Sequence, residues 1–183
     1  MKSILAAVLL LPMFPACMVV KSQVYEVHPE QSAQAFEALK SLAGKWHGTS
    51  TSGSQQFPVD VTYEVVSGGS VVMERMFPSS EHEMISMYHR DGGKLLMTHY
   101  CSQGNQPRME MLFSRPAYDP ASHHEQWISF KYRDATNQGS PKELVMHDMR
   151  LCLIDKDHFD STWTAFVDGK SDHTANFSFQ RVL

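Results

Sequence analysis

After Gly44 the hydrophobic period of this chain changes from 3.6 residues to 2, and it does not change back. Before that glycine, Pro29–Ala43 carries Phe36, Leu39 and Ala43 at helical spacing, with Leu42 beside them and Glu30 early. Gly44 stands where a helix-terminating glycine belongs. Beyond it, Val59, Val61, Tyr63 and Val65 alternate with Asp60, Thr62 and Glu64, the pattern of a strand with one buried face. Further alternating runs span 46–52, 71–77, 83–90, 94–102, 108–113, 126–133, 144–154, 159–167 and 174–182. Between them lie turn residues such as Ser67-Gly-Gly-Ser70, Asp91-Gly-Gly93 and Gly104-Asn-Gln-Pro107. About ten successive strands on short connections, with no second helix, predict an all-β, antiparallel up-and-down barrel with one short N-terminal helix. Closure removes the unpaired edges that an open sheet would expose. A two-sheet sandwich is the alternative.

The segment before the helix reads as an export signal. Lys2 precedes an apolar run from Ile4 to Leu11, extended by Pro12, Met13 and Phe14. That run is shorter than the about 20 residues needed to span a bilayer. Two processing routes fit: removal of residues 1–22, or removal of 1–16 with lipidation of Cys17 in Phe14-Pro-Ala-Cys17. The expectation is an exported protein, either periplasmic or a membrane-anchored lipoprotein, with residues 23–183 as a single barrel domain. The chain carries 16 basic and 20 acidic residues; without Lys2 the count is 15 to 20, a net of −5. A mildly acidic chain without a Lys/Arg run argues against nucleic acid as a partner.

Two features resemble the calycin superfamily, the lipocalins, fatty-acid-binding proteins and ten-stranded nitrobindin-like barrels. One is Gly44-Lys-Trp-His-Gly48 at the junction of helix and first strand, within Leu42-Ala-Gly-Lys-Trp-His-Gly48. The other is Phe179-Gln-Arg-Val182 on the last strand. The resemblance implies that Trp46 seals the closed end of the barrel and that Arg181 packs across it. Phe57-Pro58, followed by Val-Thr-Tyr-Glu64, is similar to the nitrobindin branch. The His99-Tyr-Cys101 and Gly104-Asn-Gln-Pro-Arg108 words are similar to those of exported bacterial barrels with no established activity.

Alternation also predicts which side chains face inward. Leu95, Met97, His99 and Cys101 share one parity; Ile85, Met87 and His89, then Met109, Met111 and Phe113, are assigned to the same interior. Ile128, Phe130 and Tyr132 follow, with Val145, His147, Met149 and Leu151, and then Phe159 and Trp163. An interior of Met and aromatic residues with a few imidazoles suits a small, largely apolar molecule bearing a polar group. The candidate ligand-binding residues are Met97, His99, Cys101, Arg108, His147 and Met149. Arg108 fits either an anionic head at the barrel mouth or a surface carboxylate such as Glu110 or Glu83. The alternative to a ligand is a filled barrel serving as an interaction or structural module. The nitrobindin resemblance implies a further alternative, haem held by His173 on the last strand. No resident cofactor, metal site or catalytic residue is otherwise expected. His99, Cys101 and His147 lack a metal-binding spacing motif, and nothing marks the orienting group or oxyanion hole that a Cys–His nucleophile needs. The assigned parity puts Cys152 outward, so no Cys101–Cys152 disulfide is expected.

Overall fold

A computed structural model describes residues 28–114 and 126–183. The expected export segment with Cys17 lies outside the described residues. One helix, α1 (Pro29–Ser41), precedes ten strands: β1 (Gly44–Ser52), β2 (Gln55–Val66), β3 (Val71–Met76), β4 (Met84–Asp91) and β5 (Lys94–Tyr100), then β6 (Gln106–Ser114), β7 (Gln126–Thr136), β8 (Val145–Leu153), β9 (His158–Val167) and β10 (Lys170–Arg181). Each strand pairs antiparallel with its sequence neighbours, and β1 closes the barrel on β10. The up-and-down barrel is therefore present, and the sandwich is excluded.

Helix α1 begins with Pro29 at its first turn and buries Ser32, Ala35, Phe36 and Leu39, one stripe at i, i+3, i+4 and i+7. That stripe packs against β4, β5 and β6 at one end of the barrel. The Gly-x-Trp-x-Gly segment joins the helix to the sheet. Gly44 has φ 134°, and a Cβ there would sit 3.0 Å from Arg181 Nη1. At Gly48 a Cβ would lie 2.1 Å from the Ser178 carbonyl oxygen, so only glycine lets β1 approach β10 this closely.

Trp46 is buried between these glycines. Its Nε1 donates to the Leu42 carbonyl at 2.8 Å, and its ring meets Phe159 edge-on at 4.8 Å. The Arg181 guanidinium lies 4.1 Å from the Trp46 ring centre. It also donates to the carbonyls of Ser41, Ala43 and Lys156 at 3.0, 2.9 and 2.9 Å. One planar fork thus ties the end of the helix to the β8–β9 turn across the tryptophan face. Arg181→Lys is expected to cost about 1–2 kcal/mol, because a single ammonium cannot stack and serve three carbonyls on two segments. Urea unfolding checks this, and an unchanged midpoint would make the contact incidental.

The parity expected for β5 is observed: Leu95, Met97 and His99 are buried, as is Cys101 just beyond the strand. Met109, Met111, Ile128, Phe130, Met149, Leu151, Phe159 and Trp163 also belong to the buried set. The assignment for β4 is overturned. Ser86 and Tyr88 are the buried residues, while Ile85, Met87 and His89 are only half-buried on the opposite parity. Tyr132 is half-buried rather than in the core, and the side chain of Phe113 lies outside the described set. Cys152 alternates with the core residues Leu151 and Leu153, as its outward parity requires, yet it too is buried.

Candidate functional site

The inverted face of β4 is explained by what it meets. In the antiparallel register Tyr63 of β2 lies opposite Glu74 of β3. Glu74 lies opposite Ser86 of β4, and Ser86 opposite His99 of β5. Four successive strands therefore present one continuous polar row to the interior, and all four residues are buried. Tyr88 joins the row from two residues along β4. The polar residues face inward because each satisfies another, which outweighs the greater hydrophobicity of Ile85 and Met87.

Glu74 is 1% exposed. Its Oε1 accepts from the Tyr63 hydroxyl at 2.7 Å and its Oε2 from the Tyr88 hydroxyl at 2.8 Å. Burial raises its pKa above the ordinary carboxyl value, and the hydroxyls of Tyr63, Tyr88 and Ser86 pull it partly back. Burial and the adjacent carboxylate push both tyrosines well above their usual range.

His99 stands at the other end of the row, 2% exposed. Its Nδ1 is 3.0 Å from Ser86 Oγ, and its ring packs on Trp163 with centroids 4.7 Å apart. Burial lowers its pKa from 6.5 to about 4, so the imidazole is neutral at pH 7. Four buried polar atoms of the barrel wall have no hydrogen-bond partner among the described residues: His99 Nε2, Trp163 Nε1, Ser50 Oγ and Ser161 Oγ. Ser50 and Ser161 flank Phe177, which lies opposite both in the register of β1, β10 and β9. The buried core cluster of the barrel includes Met97, Met109, Met111, Met149, Phe130 and Phe177.

The Ser86–His99 pair does not have the geometry of an activated serine. A serine is activated by a histidine that a carboxylate orients from its far nitrogen. Here the serine is at Nδ1, and Nε2 has no hydrogen-bond partner among the described residues. Burial raises the thiol pKa of Cys101, which disfavours the thiolate. Among the described residues no three His, Cys, Asp or Glu side chains come together as a metal-ligand group.

The remaining expected site residues divide. Met97, His99, Cys101 and Met149 lie in the buried interior. His147 is displaced by a register shift between Met146 and Asp148. It is half-buried in a stack with Tyr132 at 4.8 Å and Phe166 at 4.0 Å, and its Nδ1 is 2.7 Å from Asp148 Oδ1. Arg108 does not point into the buried interior. It is exposed between the buried Pro107 and Met109, and it grips Asp134 of β7 through Nε and Nη2 at 2.5 and 2.7 Å. Neither Glu110 nor Glu83 is its partner: Glu83 pairs with Arg75, and Glu110 with Lys94 and Arg133. His173 lies opposite Ala165, near the start of β10, with its side chain 43% exposed and Nδ1 at 2.8 Å from Asp172.

Sequence reasoning missed Glu74, Ser86, Tyr63 and Tyr88 as site residues. The signal was a carboxylate on the parity of Val72 and Met76, and a tyrosine on that of Val59 and Val61.

No protein-family model matches the chain, and no curated protein matches it. Among solved structures the chain is similar to a protein of unknown function from the DUF3598 family of Nostoc punctiforme PCC 73102. The TM-score is 0.46 and the identity 13%, over 79% of this chain. The match covers 49% of that protein, so the chain spans about half its length.

Proposed function

We propose that this barrel binds a small, largely apolar molecule non-covalently in its interior and is not an enzyme. The carrying observation is the buried row Tyr63–Glu74–Ser86–His99, together with four buried polar atoms, His99 Nε2 in that row and Trp163 Nε1, Ser161 Oγ and Ser50 Oγ on β9 and β1, that have no partner among the described residues. A barrel filled only for stability gains nothing from them. Each such atom costs about 1–3 kcal/mol when dry, against a total stability of about 5–15 kcal/mol. A guest with an apolar body and one polar group recovers part of that cost, and the methionines adapt to its outline.

The helix plug and the Trp46–Arg181 stack support a calycin-like reading of the fold. The export-signal pattern of residues 1–22 supports action outside the cytoplasm, with membrane attachment if Cys17 is lipidated. Haem finds less support. An axial histidine works in a dry pocket, whereas His173 is exposed and paired with Asp172.

Titration of the purified chain with N-phenyl-1-naphthylamine, a neutral apolar fluorophore, tests the reading. Saturable one-to-one enhancement is expected, and Ser161→Trp, which fills the wall beside Trp163, is expected to abolish it while circular dichroism stays unchanged. Absence of saturable binding to the folded wild type would establish the filled barrel instead. Haemin added in parallel is expected to give no saturable Soret band that His173→Ala removes.

A further inference from the structure

We propose that the seam between β5 and β6 is the entry to the barrel: the two strands part at the helix end, and the apolar guest passes through the wall there. This rests on the binding function proposed above and adds its route.

Among the described residues, β5 and β6 share three register pairs: Leu96–Glu110, Met97–Met109 and Thr98–Arg108. Every other neighbouring pair of strands shares at least six, so this seam has the shortest ladder to undo. Each end of the ladder stops for a local reason. Toward the β5–β6 turn the next pair would be His99 with Pro107, and proline brings no N–H to a ladder. Toward the helix end, β6 shifts register against its other neighbour, β7, after Arg108 and again after Met111. Such shifts bend a strand and increase its twist, so β6 parts from β5 beyond Glu110. At that end α1 packs on both strands, and Lys94 meets Glu110 across the seam at 2.9 Å. A surface ion pair of this kind is a weak latch. The turn end is held more firmly. Asn105 Nδ2 donates to the Leu144 carbonyl at 2.9 Å, and Asn137 Nδ2 to the Gly104 carbonyl at 2.6 Å. The turn is therefore the hinge, and the helix end is the side that moves.

Both sides of the seam suit an apolar passenger. Outside it lies a cleft of about 220 Å³ whose lining includes Leu96, Thr98 and Arg108, with Met97 and Met109. The same two methionines are register partners across the seam and members of the buried core, so they stand between cleft and core. Methionine is unbranched with three rotatable bonds, so this pair can swing aside where a branched side chain would block. Tyr100 of β5 and Leu112 of β6 are exposed and sit where the pairing has stopped, one beyond each end of the ladder. They give an apolar molecule a foothold on the outer surface. The β9–β10 seam differs in both respects. Its ladder is long, and its outer face carries Thr162 against Asn176 and Thr164 against Thr174, each pair hydrogen-bonded.

The test locks the seam. Thr98→Cys with Arg108→Cys joins register partners across β5 and β6 by a disulfide, and Thr162→Cys with Asn176→Cys joins β9 and β10 in the same way as a control. Each oxidised full chain is mixed with N-phenyl-1-naphthylamine in a stopped-flow fluorimeter. Association and release are expected to be at least about tenfold slower in the seam-locked protein, at unchanged affinity, and dithiothreitol is expected to restore both rates. The control lock is expected to stay within about twofold of wild type. Equal rates in the two locked proteins would overturn the route while leaving the binding function standing. Failure of the fluorophore to bind the wild type would overturn the binding function, and this route with it. Native-state hydrogen exchange of the wild type decides the opening even if a variant does not fold. The amides of residues 96–98 and 108–110 are expected to exchange at least about tenfold faster than those of 162–164 and 174–176. Equal protection of the two seams would overturn the proposal.

Discussion

Glu74→Ala is expected to destabilise the barrel by about 3–5 kcal/mol, measured as a shift of the urea unfolding midpoint at unchanged slope. The substitution strips the acceptor from two buried tyrosine hydroxyls at once and leaves a cavity beside them. Water cannot readily replace the carboxyl, because Tyr63, Glu74, Ser86 and Tyr88 are all at most 1% exposed. Glu74→Gln keeps the volume and one acceptor oxygen, so it is expected to cost less than half as much. The triple variant Glu74→Leu, Tyr63→Phe, Tyr88→Phe removes donors and acceptor together. It is expected to recover most of the loss, since the penalty comes from unpaired groups rather than from absent attraction. A Glu74→Ala variant within 1 kcal/mol of wild type would show that the carboxyl is wet and the polar row not sealed. The carboxyl also has a pH signature. Its native pKa is raised, so the native state holds the proton more tightly than the unfolded state does. Stability therefore falls as pH rises from the ordinary carboxyl value toward the raised one, and Glu74→Gln removes that decline.

The course of the chain was readable because each strand of a closed barrel has one wet and one dry face. Val59, Val61 and Tyr63, or Leu95, Met97 and His99, then show the period directly. The helix and its junction were readable for a different reason. Gly44 and Gly48 are set by close backbone approach, and Trp46 and Arg181 by contact with each other. The rule failed where inward means polar. On β4 the more apolar parity, Ile85 and Met87, is only half-buried, while Ser86 and Tyr88 face the carboxylate of a neighbouring strand. Single-strand hydrophobicity cannot see such a partner, since it depends on cross-strand register. The same limit explains Arg108. Its outward direction follows from Met109 and Met111 facing in, but its partner Asp134 is fixed by the β6–β7 register, which shifts immediately after that pair. His147 escaped because the irregularity between Met146 and Asp148 breaks the parity on which its placement depended. The polar centre of the candidate site was thus half legible. His99 and Trp163 were found from their own strands, whereas Glu74 and Ser86 required the pairing.

The second large effect is acid lability through His99. The native pKa is depressed to about 4, while the unfolded chain titrates near 6.5. Above pH 6.5 the imidazole is neutral in both states and contributes nothing to the pH dependence. As pH falls from 6.5 to about 4 the unfolded state takes up the proton and the native state does not, so stability is lost across that window. The loss is on the order of 3 kcal/mol. Glu74 runs the opposite way above its ordinary carboxyl value, so the wild-type curve alone mixes two slopes. The difference between wild type and His99→Phe, taken from pH 7 to pH 4 in the same carboxyl background, isolates the histidine. The variant is expected to gain about 3 kcal/mol relative to wild type over that range. A constant difference would mean that His99 titrates as a solvated residue. The consequence would reach the site itself, because a wet His99 has water on Nε2 and no need of a ligand there. The depressed titration is the result of one condition, an imidazole held dry between Ser86 and Trp163.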